Sequence, residues 1–173
     1  MARQTSLLRF LGELEKDELI EEIEKLCAKF EVVKKYFDVE LSGDTGRYLE
    51  AAKKDISRQF QTAKGDWRKN PKASRLNAIT KEFELISIYK TDVLALLVHR
   101  VEETLRYAFG ARETITPALT QSTELAMRRA LELMAAEGLE EKYRPQTAAW
   151  DNPNWRYGKP REWVKPEGGW WNW

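Results

Sequence analysis

The chain has 173 residues, 33% of them charged and 42% hydrophobic, with a formal net charge of only +1. That mixture excludes a disordered polyelectrolyte, and the length is enough to bury a core without staples, which implies one domain with an appended segment. A single cysteine, Cys27, excludes an intrachain disulfide or a cysteine zinc cluster, and the longest apolar run, Val93 to Val98, is far short of the roughly 20 residues a membrane helix needs.

The N-terminus carries acidic residues where a signal peptide would need an apolar run, so a cytoplasmic protein is expected. Charge is laid out unevenly. Residues 1–46 hold seven Lys/Arg against eleven Asp/Glu, whereas residues 47–75 hold nine against three, so only the second block reads as an electrostatic footprint.

Taken in order, residues 3–14 form an amphipathic helix whose apolar side is Leu7, Leu8, Phe10, Leu11 and Leu14. Lys16 to Phe30 follows, with Leu19, Ile20, Ile23, Leu26, Cys27 and Phe30 at spacings of three and four; Cys27 lies inside that stripe and reads as a small core residue. A third helix, Glu31 to Leu41, turns Val32, Val33, Tyr36, Phe37 and Leu41 inward.

This opening resembles a known family. Lys16, Glu18, Leu19, Ile20, Ile23 and Leu26, followed by Phe30, Val33, Lys34, Tyr36, Phe37 and Leu41, are similar to the start of an uncharacterised bacterial family, domain-of-unknown-function family 6155. The resemblance is strongest over residues 10–62 and extends to about residue 137; Glu15 departs from a typical serine cap and Glu31 from a typical proline. It implies a small all-helical protein. It implies no catalytic residue, because the matching positions form a core rather than a chemistry.

Leu41 to Gly46 is turn chemistry, and a helix over 45–61 repeats Leu49, Ala52, Ile56 and Phe60. Ala63 to Lys72 reads as a loop, and a helix over 73–89 turns Leu76, Ile79, Phe83 and Ile86 inward. Thr91 to Gly110 is the most apolar helical segment: Leu94, Leu97, Val101, Leu105 and Ala108 form a stripe that Val93, Leu96 and Val98 widen, with Thr91 or Asp92 as N-cap and Gly110 as stop. Such a helix needs neighbours on several sides and predicts the packing centre. Thr116-Pro117 starts a last helix, with Leu119, Thr123, Ala126, Ala130, Leu133 and Met134 inward; Gly138 ends it and Leu139 folds back as in a Schellman motif.

From Tyr143 the composition shifts. Residues 143–173 hold four prolines and six tryptophans without aliphatic periodicity, which predicts an extended or turn-rich tail rather than a regular helix. The expected architecture is all-α, six or seven antiparallel helices in residues 1–142 as a compact bundle or a short solenoid-like stack. An irregular Trp/Pro-rich tail over 143–173 packs on the domain or at an interface.

Three groups of residues bear on function. His99 has Glu102 and Glu103 on the same helical face, but no second histidine completes a metal set, and no nucleophile elbow, phosphate loop or zinc-protease motif is present. No catalytic residue, metal or cofactor is therefore assigned. The basic segment offers Lys53, Lys54, Arg58, Lys64, Arg68, Lys69, Lys72 and Arg75, with Trp67 able to stack on a base, as a surface for a polyanion or partner. Its alternative role is to pair with the acidic N-terminal helices. Trp150, Trp155, Trp163, Trp170, Trp171 and Trp173 offer docking to a partner or to the chain's own body. The sequence favours a non-catalytic interaction or assembly module, binding another protein or a second copy of itself, with a nucleic-acid-associated factor as the alternative and no membrane role.

Overall fold

A computed structural model describes residues 2–111, 115–151 and 155–156, with side chains from Ser6 onward. Among these residues every regular element is an α-helix: α1 Ala2–Glu13, α2 Lys16–Lys29, α3 Glu31–Ser42, α4 Gly46–Phe60, α5 Ala73–Ile86, α6 Lys90–Gly110, α7 Pro117–Glu137 and α8 Glu140–Ala148. The all-helical expectation holds. There are eight helices rather than six or seven, the extra one being α8. They divide into two compact units, one ending at Gly43 and one beginning at Asp44.

In the first unit α2 packs on α3. The chain enters α2 without a serine or threonine cap, and the Glu18 carboxylate reaches back instead to accept the Glu15 backbone N–H at 2.8 Å. Phe30, extended at φ −127° and ψ 107°, breaks the register between α2 and α3, and Gly43 ends α3 in the left-handed conformation. The inward faces expected here are corrected. Ile20, Ile23, Leu26 and Phe30 are 41–46% exposed, Leu41 is 86% exposed and Cys27 is only half-buried, while Val39 is fully buried. Three short helices enclose too little interior to cover so many apolar side chains.

The second unit is built around α6, which touches α4, α5 and α7. Twelve of its 21 residues are buried, including every member of the predicted stripe. Ile56 and Phe60 from α4, Leu76, Phe83 and Ile86 from α5, and Leu119, Ala126, Ala130 and Met134 from α7 complete the core. The ends of α7 follow the sequence. Thr116 Oγ1 accepts the Leu119 N–H, Pro117 opens the helix, and past the left-handed Gly138 the Leu139 N–H returns to the Met134 carbonyl at 2.9 Å.

Two local expectations are corrected. Helix α6 begins at Lys90, so Thr91 and Asp92 lie inside its first turn instead of capping it; Asp92 accepts a hydrogen bond from the buried Thr45 hydroxyl, tying the start of α4 to the start of α6. Helix α8 runs past Tyr143 and through Pro145 to Ala148. Proline there forfeits one bond to the Glu141 carbonyl, a loss that a nine-residue helix docked on α7 tolerates.

The helix ladder of α6 gives a direct measure of its role as the packing centre. Leu97→Ala is expected to lower the unfolding free energy by about 2–5 kcal/mol. Leu131→Ala, at a side chain 49% exposed on α7, should stay within about 0.5 kcal/mol of wild type in the same urea titration.

Candidate functional site

The basic segment does not form one surface. Lys53, Lys54 and Arg58 lie on α4, Lys64, Trp67, Arg68 and Lys69 in the connection to α5, Lys72 just before α5, and Arg75 in its first turn. That connection is more ordered than a plain loop. Thr62 N–H donates to the Asp66 carbonyl at 2.8 Å and Arg68 N–H to the Phe60 carbonyl at 2.7 Å, closing a tight hairpin across which Gln61 and Trp67 form a bridge. Gly65 supplies the left-handed residue at φ 85°.

The hairpin brings three of the cations together. Lys54, Arg58 and Arg68 line a cleft of about 390 Å³ with Ser57, Gln61, Thr62 and Ala63. Arg68 is steadied by donating its Nε–H to the Gln61 carbonyl at 3.2 Å, and Arg58 pairs with Asp55 at 3.0 Å. The buried Thr62 hydroxyl has no hydrogen-bond partner among the described residues. Lys53 points away from this cleft to Glu50 at 2.7 Å, and Lys64, Lys69, Lys72 and Arg75 are exposed outside it.

Trp67 is half-buried and turned inward. Its ring meets Tyr107 edge-on, with centroids 5.8 Å apart, and occupies the space a side chain at Gly110 would need: a Cβ there would come within 2.4 Å of the indole. Gly110 therefore does more than stop a helix. Its missing side chain seats the indole of the basic hairpin.

Of the tail tryptophans, Trp150 and Trp155 are 7% and 0% exposed within the second unit. Arg156 stacks on the Trp155 ring at 5.2 Å and donates to Glu124 of α7 at 2.8 Å, which places this segment beside α7. Both indole N–H groups lack a partner among the described residues. Trp163, Trp170, Trp171 and Trp173 lie outside the described residues.

His99 sits between α4 and α6. Its Nε2 is 3.1 Å from the Lys53 carbonyl, 3.1 Å from Ser57 Oγ and 3.9 Å from Glu103 Oε1. A serine, a histidine and a carboxylate at these distances suggest a nucleophilic relay, but the geometry denies one. A relay needs the acid on Nδ1 and the nucleophile on a free Nε2. Here all three neighbours crowd the same nitrogen, and the carbonyl can only accept, so Nε2 carries its proton toward Lys53. His99 is a strut joining the two helices. Beside it, Glu103 is 2% exposed and is held by Arg106 at 2.5 Å. Among the described residues no group of three His, Cys, Asp or Glu side chains is placed to hold a metal ion, and no helix is long and apolar enough to cross a membrane.

The second buried charge of α6 was not anticipated from the sequence. Arg100, 3% exposed, donates to Thr80 Oγ1 at 3.1 Å, Asn77 Oδ1 at 2.7 Å and Ser122 Oγ at 2.5 Å. Ser122 Oγ–H in turn donates a hydrogen bond to Asn77 Oδ1 at 2.8 Å, and Thr80 Oγ1–H donates one to the Leu76 carbonyl. One guanidinium thus joins α5, α6 and α7. The signal was in the spacing: Arg100 follows Leu96 and Leu97 at four and three residues, which places it on the buried stripe.

The sequence matches a family model over most of its length. The chain belongs to the family of unknown function DUF6155, with the match running over residues 1–160. The DUF6155 match takes in both compact units, all eight helices and the buried Trp150 and Trp155. No curated protein and no solved structure matches the chain.

The titration of the α4–α6 cluster is open to test. Burial pushes Glu102 up to about 7 and His99 below its ordinary 6.5, the latter against the pull of Glu103. Ionised Glu102 therefore penalises the folded state: the penalty is absent below the ordinary 4.5, grows up to about 7 and is complete above it. His99 acts in the opposite sense, with stability falling as pH drops below 6.5 because the unfolded chain takes the proton more readily. Glu102→Gln should consequently raise the unfolding free energy at about pH 8 and leave it unchanged at about pH 4.5, as read by urea denaturation at the two values.

Proposed function

We propose that this chain is a non-catalytic protein-interaction or assembly module whose docking surface is the apolar side of α1 and α2. One observation carries the reading. Leu7, Leu8 and Phe10 on α1 are 50–67% exposed, and Ile20, Ile23 and Leu26 on α2 are 41–46% exposed, a density of surface apolar residues that soluble monomers seldom carry. Covering one such side chain, about half of which is still in water, contributes about 0.7–1.5 kcal/mol. Charged residues on the opposite side of α2, including Glu21, Glu22 and Lys25 linked by ion pairs, keep that face in water and leave the apolar one for a partner.

The test is a double substitution, Leu8→Glu with Ile23→Glu, in the full chain. Wild type should self-associate in sedimentation velocity or retain a protein partner in affinity capture, and the variant should lose that association while keeping its thermal transition. A wild type that stays monomeric and captures the same proteins as the variant would sink the reading.

The cleft of Lys54, Arg58 and Arg68 supports a second reading, contact with a polyanion such as single-stranded nucleic acid. Trp67 contributes the hairpin's anchor to this reading and not a stacking platform, since its ring is engaged by Tyr107. Lys54→Glu with Arg68→Glu should weaken oligonucleotide binding and flatten the log–log salt dependence by about 0.7 per lost phosphate contact. Fluorescence anisotropy across a salt series measures it; an unchanged slope removes the cleft from consideration.

A further inference from the structure

Arg100 is a buried cation that forms no ion pair among the described residues. Its hydrogen-bond partners are all neutral, namely a threonine and a serine hydroxyl, an amide oxygen and the Ser122 carbonyl. Its Nε–H is buried without any partner there. The carboxylate whose charge reaches it, Glu84, is taken by Arg129 at 2.7 Å. A charge withdrawn from water in this way is costly unless an opposite charge meets it.

The same guanidinium lines a cleft of about 420 Å³ formed by α5, α6 and α7. That volume falls within the range of small-molecule sites, roughly 300–1,000 Å³. Three cations, Lys81, Arg100 and Arg129, face one carboxylate, Glu84, so the cleft carries an uncompensated positive charge. Its other wall is apolar, made by Leu97, Leu125 and Ala126, and Leu125 is 55% exposed beside it. The guanidinium is fixed by Asn77, Thr80 and Ser122, which accept hydrogens from both terminal nitrogens, so the donor left for an arriving oxyanion is the buried Nε–H, already oriented rather than carried on a flexible arm.

We propose that the α5–α6–α7 cleft binds a small organic carboxylate, its oxyanion paired with Arg100 and its hydrocarbon body against Leu97 and Leu125. Lys81 in the lining draws the anion in. The site is independent of the α1–α2 docking surface and of the Lys54 cleft, and shares no residue with either.

Titration of the full-length protein with octanoate, followed on the arginine Nε–H signals by NMR, tests this. A saturable shift of the Arg100 signal is expected with millimolar or tighter affinity, weakened about five-fold in Lys81→Gln, the size of one screened surface charge. Leu125→Asp should abolish it, and Arg100→Met should remove both signal and binding; because that last change can unfold the core, the two surface variants decide. Inorganic phosphate at equal concentration should bind more weakly, having no apolar body. Absence of saturation by about 20 mM octanoate, unchanged affinity in both surface variants, or equal binding of phosphate would each overturn the assignment.

Discussion

The second unit depends on placing two ionisable groups, Arg100 and Glu103, inside its most buried helix. An α6 made only of leucine and valine would pack at least as well. Once those charges are interior, however, neighbouring side chains have to be polar at matching heights, and they are: Asn77 and Thr80 on α5 and Ser122 on α7 meet Arg100, and Arg106 turns back to Glu103. The rest of the contact surface is hydrophobic and tolerant of sliding. Directional bonds fix which turn of α5 and α7 faces which turn of α6, so polar contacts set the register while apolar burial supplies the driving force.

A second consequence concerns how the two kinds of surface are shared out. Among the described residues, the unit from Asp44 onward buries most of its large apolar side chains, Trp150 and Trp155 among them, with Leu85, Ile88, Tyr89, Leu125 and Leu131 left exposed. The unit up to Gly43 does the reverse, with isoleucine, leucine and phenylalanine in water and Val39 as the buried exception among its described side chains. Buried core and exposed apolar side chains thus lie in different stretches of one short chain. That division is the physical basis for proposing a docking surface on α1 and α2.

What could be read from the sequence follows the range of the interactions. Helix starts and stops written in adjacent residues, such as Thr116-Pro117 and Gly138-Leu139, were legible, as were the apolar stripes of α4 to α7, because i+3 and i+4 spacing is local. The burial of Leu94 or Phe83 follows from their own neighbours in sequence. Misreadings arise where a distant partner decides. Asp92 looked like a cap until Thr45 claimed its carboxylate, and Ile20 and Leu41 looked like core because periodicity reports which face is apolar without reporting what covers it. Pro145 argued against a helix that packing on α7 nonetheless sustains. Of the candidate sites, the cationic character of the segment 53–75 was plain, but which three of its side chains converge depended on a hairpin closed by backbone bonds, which side-chain chemistry does not announce. Arg100 was visible only as an exception within a stripe.

The indole resting over Gly110 has a thermodynamic side. A cationic hairpin free in solution would lose conformational entropy each time it gathered around an anion, and that loss would be subtracted from every contact made. Here Trp67 packs edge-on against Tyr107 in the space left by the missing side chain at position 110, which ties the hairpin to the end of α6. One hydrogen in place of a carbon, at the end of the central helix, thus makes room for the one aromatic side chain of the basic hairpin.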